Sequence, residues 1–140
     1  MQLVYVSDRG LGTAYMLCMF ISSKNPLLKA IWAVGVIATI FLSALPADQM
    51  PQVGDLSDKI KHFLAYAVVG SFGMFAASTN SHRLLLAFAM AFMGLGLEGV
   101  QYFLPTRSFE LLDALANTLG VVVSLGLYHL YGYVRKTAGG

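Results

Sequence analysis

Side chains that can exchange protons recur at helical spacing inside otherwise apolar stretches of the chain. Asp58, His62 and Tyr66 follow one another at intervals of four residues, so they share one face of a helix. Histidine gains and loses a proton near neutral pH, and a neighbouring carboxylate orients its ring. This spacing therefore predicts a set of acid, base or ligand-binding groups along one helix face.

Two further pairs follow the same rule. Glu98 and Gln101 are three residues apart, and Asp113 and Asn117 are four apart, so each pair shares a helix face. Glu98 precedes Pro105 by seven residues, which predicts a position roughly 10 Å inside the helix end at 1.5 Å per residue. A carboxyl group that is partly desolvated in this way can serve as an acid or a base.

The residue types suggest a division of roles. His62 and Glu98 are the candidates for proton transfer, and Arg107 carries the planar guanidinium that matches a carboxylate or a phosphate. The other polar groups would bind a ligand or orient these three. The predicted binding or orienting residues are Asp58, Tyr66, Gln101, Arg107, Asp113 and Asn117.

Two alternatives compete with a proton-transfer site. A metal ion held by His62 and carboxylates is one, although the group has a single histidine, and we predict neither a metal nor another cofactor. The other alternative is a set of hydrogen bonds between helices that only stabilises the packing. Packing alone does not require the polar groups to gather at one end of a bundle, which favours a site.

The elements that carry these residues are four apolar runs. Of the 140 residues, 57% are hydrophobic and 11% are charged, whereas a soluble domain has about 25% charged residues. The runs approach or exceed the 17–25 residues that span a bilayer. They cover residues 27–45, 60–78, 84–104 and 111–133. The prediction is an all-α integral membrane four-helix bundle, and a duplicated helical hairpin is one way to build it.

One domain, residues 27–135, contains all four runs. Residues 1–26 are either an interfacial segment or lie upstream of a later start at Met16 or Met19. Basic residues near the spans number six on the side of the termini and three on the other, which predicts both termini in the cytoplasm. The first set is Arg9, Lys24, Lys29, Arg83, Arg135 and Lys136, and the second is Lys59, Lys61 and Arg107.

Internal similarity and small residues predict how the helices pack. Each half has a span that ends in Leu-Pro, followed by a loop and a span that begins Asp-x-x-x-His or Asp-x-x-x-Asn. Ala116, Gly120 and Ser124 recur every four residues, which allows a close approach between helices in lipid. A site between two related hairpins is the expected arrangement.

Three sequence blocks resemble the VanZ-like membrane proteins. Residues 58–66, DKIKHFLAY, are similar to the family's D-K-x-x-H-F-x-x-Y block. Residues 98–110, EGVQYFLPTRSFE, resemble its E-x-x-Q-x-F-x-P-x-R block, and residues 112–120, LDALANTLG, its D-x-x-A-N-x-x-G block. The blocks occur in order and cover most of residues 58–120, whereas residues 1–26 lie outside them.

The resemblance implies a role in the bacterial cell envelope. The family is named for a protein linked to low-level resistance to the glycopeptide teicoplanin, which acts outside the cytoplasmic membrane. The expected partners are membrane lipid and an anionic envelope lipid or glycopeptide ligand. Nucleic acid is not expected, because no basic stripe interleaves with aromatic residues. An enzyme, a binding or transport protein and a structural subunit are the three functional hypotheses.

Overall fold

Four α-helices form the described part of the chain. The computed structural model describes residues 25–46, 49, 57–104 and 108–139. The helices are α1 Pro26–Ser43, α2 Asp58–Ala76, α3 Asn80–Gln101 and α4 Leu111–Ala138. No strand occurs in these residues. Each helix corresponds to one predicted apolar run, so the all-α bundle is confirmed.

Local sequence signals account for the helix starts. Proline at the first position of α1 needs no backbone donor, and its fixed φ suits a helix. Thr79 caps α3, because its Oγ1 accepts the His82 backbone N–H at 3.2 Å. The cap of α4 is Glu110.

The end of α3 differs from the sequence prediction. The helix ends at Gln101, four residues before Pro105. Glu98 therefore lies three residues from the helix end, about 5 Å at 1.5 Å per residue, rather than roughly 10 Å inside it. The carboxyl group is nevertheless fully buried, because neighbouring helices cover it.

Large apolar side chains cover the outside of the bundle. Val34, Ile37, Phe88, Phe92 and Leu119 are each more than half exposed. Such a surface is expected in lipid and not in water. The helices α1, α3 and α4 are each long and apolar enough to cross a membrane. These features identify a membrane protein.

Helix α2 differs in composition from the other three. Its 19 residues extend about 28 Å, close to the thickness of a bilayer core. Four of its first five residues are polar or charged: Asp58, Lys59, Lys61 and His62. This polar start distinguishes α2 from the three helices that are apolar enough along their length to cross a membrane. Of the three other helices, α2 packs most extensively against α4.

Small residues bring α2 and α4 together. A Cβ added to Gly120 would lie 2.5 Å from the backbone oxygen of Phe63 and 2.9 Å from the backbone nitrogen of Ala67. One turn further along, a Cβ on Gly70 would lie 2.6 Å from Ser124 Oγ. The small residues thus face the partner helix at both levels. They permit the backbones of α2 and α4 to touch, as the spacing predicted.

The other two helices pack on this central pair. Helix α1 packs on α2, where Trp32 covers Gly73 and Val69 covers Gly35. Helix α3 packs mainly on α4. The contacts between α2 and α3, and between α1 and α3, are less extensive. Two hairpin-like pairs, α1 with α2 and α3 with α4, therefore meet along α2 and α4.

We predict that Gly120→Ala destabilises the fold. The new methyl group would meet the backbone of α2, so the two central helices would have to separate, at a cost of about 1–3 kcal/mol. Gly126→Ala is the matched control on the same helix, because a Cβ there meets nothing within 4 Å. Thermal unfolding in detergent should show a lower Tm for Gly120→Ala only. Equal Tm values for the two variants would contradict the close contact.

Candidate functional site

The polar groups of three helices meet at one end of the bundle. Helix α2 contributes His62 and Tyr66, α3 contributes Glu98, and α4 contributes Asp113 and Asn117. All except His62 are buried, and the His62 side chain is 14% exposed. Five of the eight sequence-predicted site residues are thus brought into one cluster. The close contact between α2 and α4 places His62 opposite Asn117.

His62 is at the centre of the cluster. Its Nδ1 lies 3.1 Å from Asn117 Oδ1 and 3.8 Å from Glu98 Oε1. Its Nε2 lies 3.9 Å from Asp113 Oδ2. Each ring nitrogen therefore faces a carboxylate, one on α3 and one on α4. The carbonyl oxygen of Asn117 accepts a hydrogen bond, so Nδ1 is the ring nitrogen that donates.

A lysine connects the cluster to the surface. Lys59 Nζ lies 2.7 Å from Glu110 Oε2 and 3.5 Å from Asp113 Oδ1. The side chains of Lys59 and Glu110 are nearly half exposed, whereas Asp113 is 10% exposed. Lys59 precedes the apolar run of α2, and the hydrogen bond from its ammonium to Glu110 raises its pKa above the usual value. Side-chain exposure thus decreases from Lys59 through His62 and Asp113 to Glu98.

The deepest polar groups surround Gly94. The space that a Cβ on Gly94 would occupy lies 3.1 Å from Asn117 Nδ2 and 3.2 Å from Tyr66 Oη. Tyr66 is 2% exposed, and its hydroxyl has no hydrogen-bond partner among the described residues. Glu98 lies one turn further along α3 and is fully buried. Glycine at position 94 therefore gives the Tyr66 hydroxyl and the Asn117 amide access to the surface of α3.

Two predicted site residues lie elsewhere. Asp58 is the first residue of α2, and its side chain is 64% exposed and paired with Lys61 at 3.2 Å. Gln101 is buried, but its Nε2 donates to the Ser43 backbone oxygen at 3.1 Å and so links α3 to the end of α1. Asp58 therefore does not join the cluster, and Gln101 fixes helix packing. Arg107 lies outside the described residues.

Two residues that connect the cluster to the surface, Lys59 and Glu110, were not predicted as site residues from the sequence. Lys59 was counted only as a basic residue near the spans, and Glu110 entered only as the last residue of a sequence block. Both belong to the sequence blocks that resemble the VanZ-like family, DKIKHFLAY and EGVQYFLPTRSFE. That membership was the available signal for their role.

A metal ion is the alternative occupant of the cluster. His62, Glu98 and Asp113 offer ligand atoms that all lie within 4.8 Å of one another. The Lys59 ammonium already lies beside Asp113, and His62 Nδ1 already has Asn117 as its partner. A cation at this position would compete with Lys59 for Asp113. The arrangement suits proton transfer without such a rearrangement.

We predict that Tyr66→Phe leaves the stability of the protein unchanged or raises it. A buried hydroxyl without a partner costs about 1–3 kcal/mol, and phenylalanine keeps the ring. Asn117→Leu should instead lower the Tm, because His62 would lose its hydrogen-bond partner. The measurement is thermal unfolding in detergent. A Tm for Tyr66→Phe as low as that of Asn117→Leu would show that the hydroxyl is bonded.

Comparison with known proteins connects this cluster to a family. Residues 11–132 match the VanZ/LLP1 family, a range that contains α1, α2, α3, most of α4 and every cluster residue. The match also includes residues 11–26, which the three sequence blocks do not cover. No solved structure matches the chain.

A curated relative is an uncharacterized protein of the fission yeast Schizosaccharomyces pombe. It is 33% identical over 105 residues, which are 73% of this chain and 62% of that protein. The chain therefore spans less than two thirds of this relative's length. The family match extends over most of the 140 residues and agrees with the three sequence blocks. The chain belongs to the VanZ/LLP1 family.

Proposed function

We propose that the protein binds the head group of an envelope lipid at the polar end of the bundle and processes it by proton transfer. The observation that carries this proposal is the position of His62 between two carboxylates on different helices, 3.8 Å from Glu98 and 3.9 Å from Asp113. Ionisable groups inside a membrane bundle are costly and are generally functional. A site of this kind has the groups that acid–base chemistry needs.

The hydrogen bonds assign roles within the site. His62 Nδ1 donates to Asn117, so Nε2 is the nitrogen that accepts a proton from a bound hydroxyl group or water. Asp113 lies on the Nε2 side and orients the incoming group. Glu98, on the Nδ1 side, stabilises the imidazolium that forms and is the second proton-transfer group. Lys59 and Arg107 supply positive charge for an anionic head group.

The packing beneath the cluster favours access from one side only. Below Tyr66 the core consists of apolar side chains, among them Met74, Leu86, Met90 and Val121. The Ser124 hydroxyl donates to the Val121 backbone oxygen of its own helix, so this donor is not available to a polar ligand. A transporter needs access from both sides of the membrane. The apolar core therefore favours a site that opens at one face.

The proposed ligand class rests on the position of the cluster. A lipid can enter from the bilayer with its head group at the helix ends, where Lys59 and Glu110 are exposed. A glycopeptide-type ligand is the alternative, and the resemblance to a teicoplanin-linked protein is its support.

We propose a bacterial cytoplasmic membrane location with both termini in the cytoplasm, which places the cluster at the outer face. The support is the excess of Lys and Arg on the side of the termini. Reporter fusions at Gln52 and Thr106 should read outside, and fusions at Asn80 and Gly139 should read inside. An outside reading at Gly139 would overturn this orientation.

The decisive variants for the proposed chemistry are Glu98→Gln and His62→Gln. Both keep a hydrogen-bonding side chain of similar size and remove proton exchange at neutral pH, so activity should fall by roughly a hundredfold or more. The readout is the lipid change found when extracts of a deletion strain are compared with its parent, or envelope-drug susceptibility. The proteins should still insert and fold, because no large side chain is lost.

The matched control is His82→Gln, which makes the same change at the opposite end of the bundle, where His82 lies near Ser78. It should retain full activity. Arg107→Lys should weaken a bidentate contact with a phosphate while retaining the charge. Folded and fully active Glu98→Gln and His62→Gln proteins would remove the acid–base proposal and leave a binding or structural role. Activity that falls only in proportion to folded protein would indicate packing.

A further inference from the structure

The end of the bundle opposite the cluster contains a cleft with a different character. Its volume is about 590 Å³, and α1, α2, α3 and α4 all contribute to its walls. Leu28 and Phe75 provide apolar surface, and Tyr131 adds an aromatic ring with a hydroxyl group. Arg83, Arg135 and Lys136 provide positive charge.

Arg83 is a buried cation without an acidic partner. It is 7% exposed, and no carboxylate of the described residues lies within 4 Å of its guanidinium. Its Nε donates to the Met74 backbone oxygen and Nη2 to the Ala77 backbone oxygen, so Arg83 caps the end of α2. Its Nη1 donates to Asn80 Oδ1, and its guanidinium lies 3.9 Å from the centre of the Tyr128 ring.

These contacts hold the guanidinium still but leave its charge unneutralised. Carbonyl groups and an aromatic face stabilise a cation only in part, and buried charges in proteins are normally paired with an opposite charge. Three of the five N–H groups donate to protein oxygens, which leaves two for a ligand among the described contacts. The cleft therefore has a preformed position for an anion.

The surrounding charge has one sign. The four acidic residues in the described part of the chain all lie at the opposite end of the bundle: Asp58, Glu98, Glu110 and Asp113. Arg135 and Lys136, in the last turns of α4, are exposed and line the same cleft as Arg83. Three cations thus meet in one cavity with no carboxylate of the described residues beside them.

The length of α4 places the cleft at the level of lipid head groups. Its 28 residues extend about 42 Å, whereas the hydrocarbon core is about 30 Å thick. The last turns, which carry Tyr131, Arg135 and Lys136, therefore reach the interface. Tyrosine is enriched at this level, and basic clefts between membrane helices recognise phosphorylated lipid head groups.

We propose that this cleft binds the phosphate head group of an anionic phospholipid. Arg83 forms its rigid floor, and Arg135 and Lys136 close over the phosphate from α4. Tyr131 contributes its hydroxyl group, and the apolar surface of Leu28 and Phe75 accommodates the first part of an acyl chain. This site is separate from the His62 cluster, so it stands whether or not the proposed chemistry at that cluster is correct.

The test is native mass spectrometry of the full chain in mild detergent with added phosphatidylglycerol or phosphatidylcholine of matched acyl chains. The protein should retain phosphatidylglycerol preferentially. Arg135→Gln combined with Lys136→Gln should weaken that binding about thirtyfold, and Lys136→Gln alone about fivefold, as expected for juxtamembrane basic residues. Lys61→Gln removes the same charge at the other end of the bundle and should leave the affinity unchanged.

Each alternative has a distinct outcome in this experiment. Equal retention of both lipids, or equal weakening by Lys136→Gln and Lys61→Gln, would overturn the proposal. Binding of the water-soluble head group glycerophosphoglycerol with the affinity of the intact lipid would show a phosphate site rather than a lipid site. A dimer that forms without lipid and is lost in the double variant would assign the cleft to a second copy. An unchanged Tm of the double variant, whose two side chains are exposed, confirms that folding is intact.

Discussion

The contact of α2 with α4 at Gly120 is the constraint on which the rest of the structure depends. A helix backbone can touch another only where no side chain intervenes, and Gly120 lies directly against the backbone of α2 at Phe63 and Ala67. His62 precedes Phe63, and Asn117 lies one turn before Gly120. The same close approach therefore brings the imidazole and the amide within 3.1 Å. No hydrophobic force draws helices together in lipid, so their packing depends on close contacts of this kind. The contact at Gly120 therefore accounts for both the helix packing and the geometry of the polar cluster.

The two ends of the bundle stabilise buried charge in different ways. At the His62 end, carboxylates and bases alternate: Lys59 lies beside Asp113, and His62 lies between Asp113 and Glu98. At the Arg83 end, cations gather without a carboxylate among the described residues, and backbone oxygens and an aromatic ring stabilise the buried one. The first arrangement can pass a proton between its members. The second can only bind an anion, because arginine keeps its proton.

Periodicity predicted the elements well and the contacts less well. Four apolar runs, the small residues of α4 and the shared faces of α2 and α4 depend on local sequence alone, and the structure has each of them. The contacts of Asp58 and Gln101 were not predicted. Asp58 pairs with Lys61, three residues along its own helix, and so does not join the cluster. Gln101 meets the end of α1, which is 58 residues away in sequence, and no spacing rule within one helix predicts that contact.

The two halves of the chain carry different residues at corresponding positions of their shared sequence pattern. Asp58 and His62 in the first half correspond to Asp113 and Asn117 in the second, and the structure pairs His62 with Asn117. Helix α4 begins two residues before Asp113, whereas α2 begins at Asp58, so only Asp113 is covered by its own helix and its neighbours. The amide oxygen opposite the imidazole accepts a hydrogen bond from Nδ1, whereas Nε2 faces the Asp113 carboxylate. The two ring nitrogens of His62 therefore have different partners, and the Nε2 side is the one toward the exposed Lys59 and Glu110. With a second histidine opposite the imidazole, as two identical hairpins would give, neither the donor nor the acceptor of that hydrogen bond would be fixed.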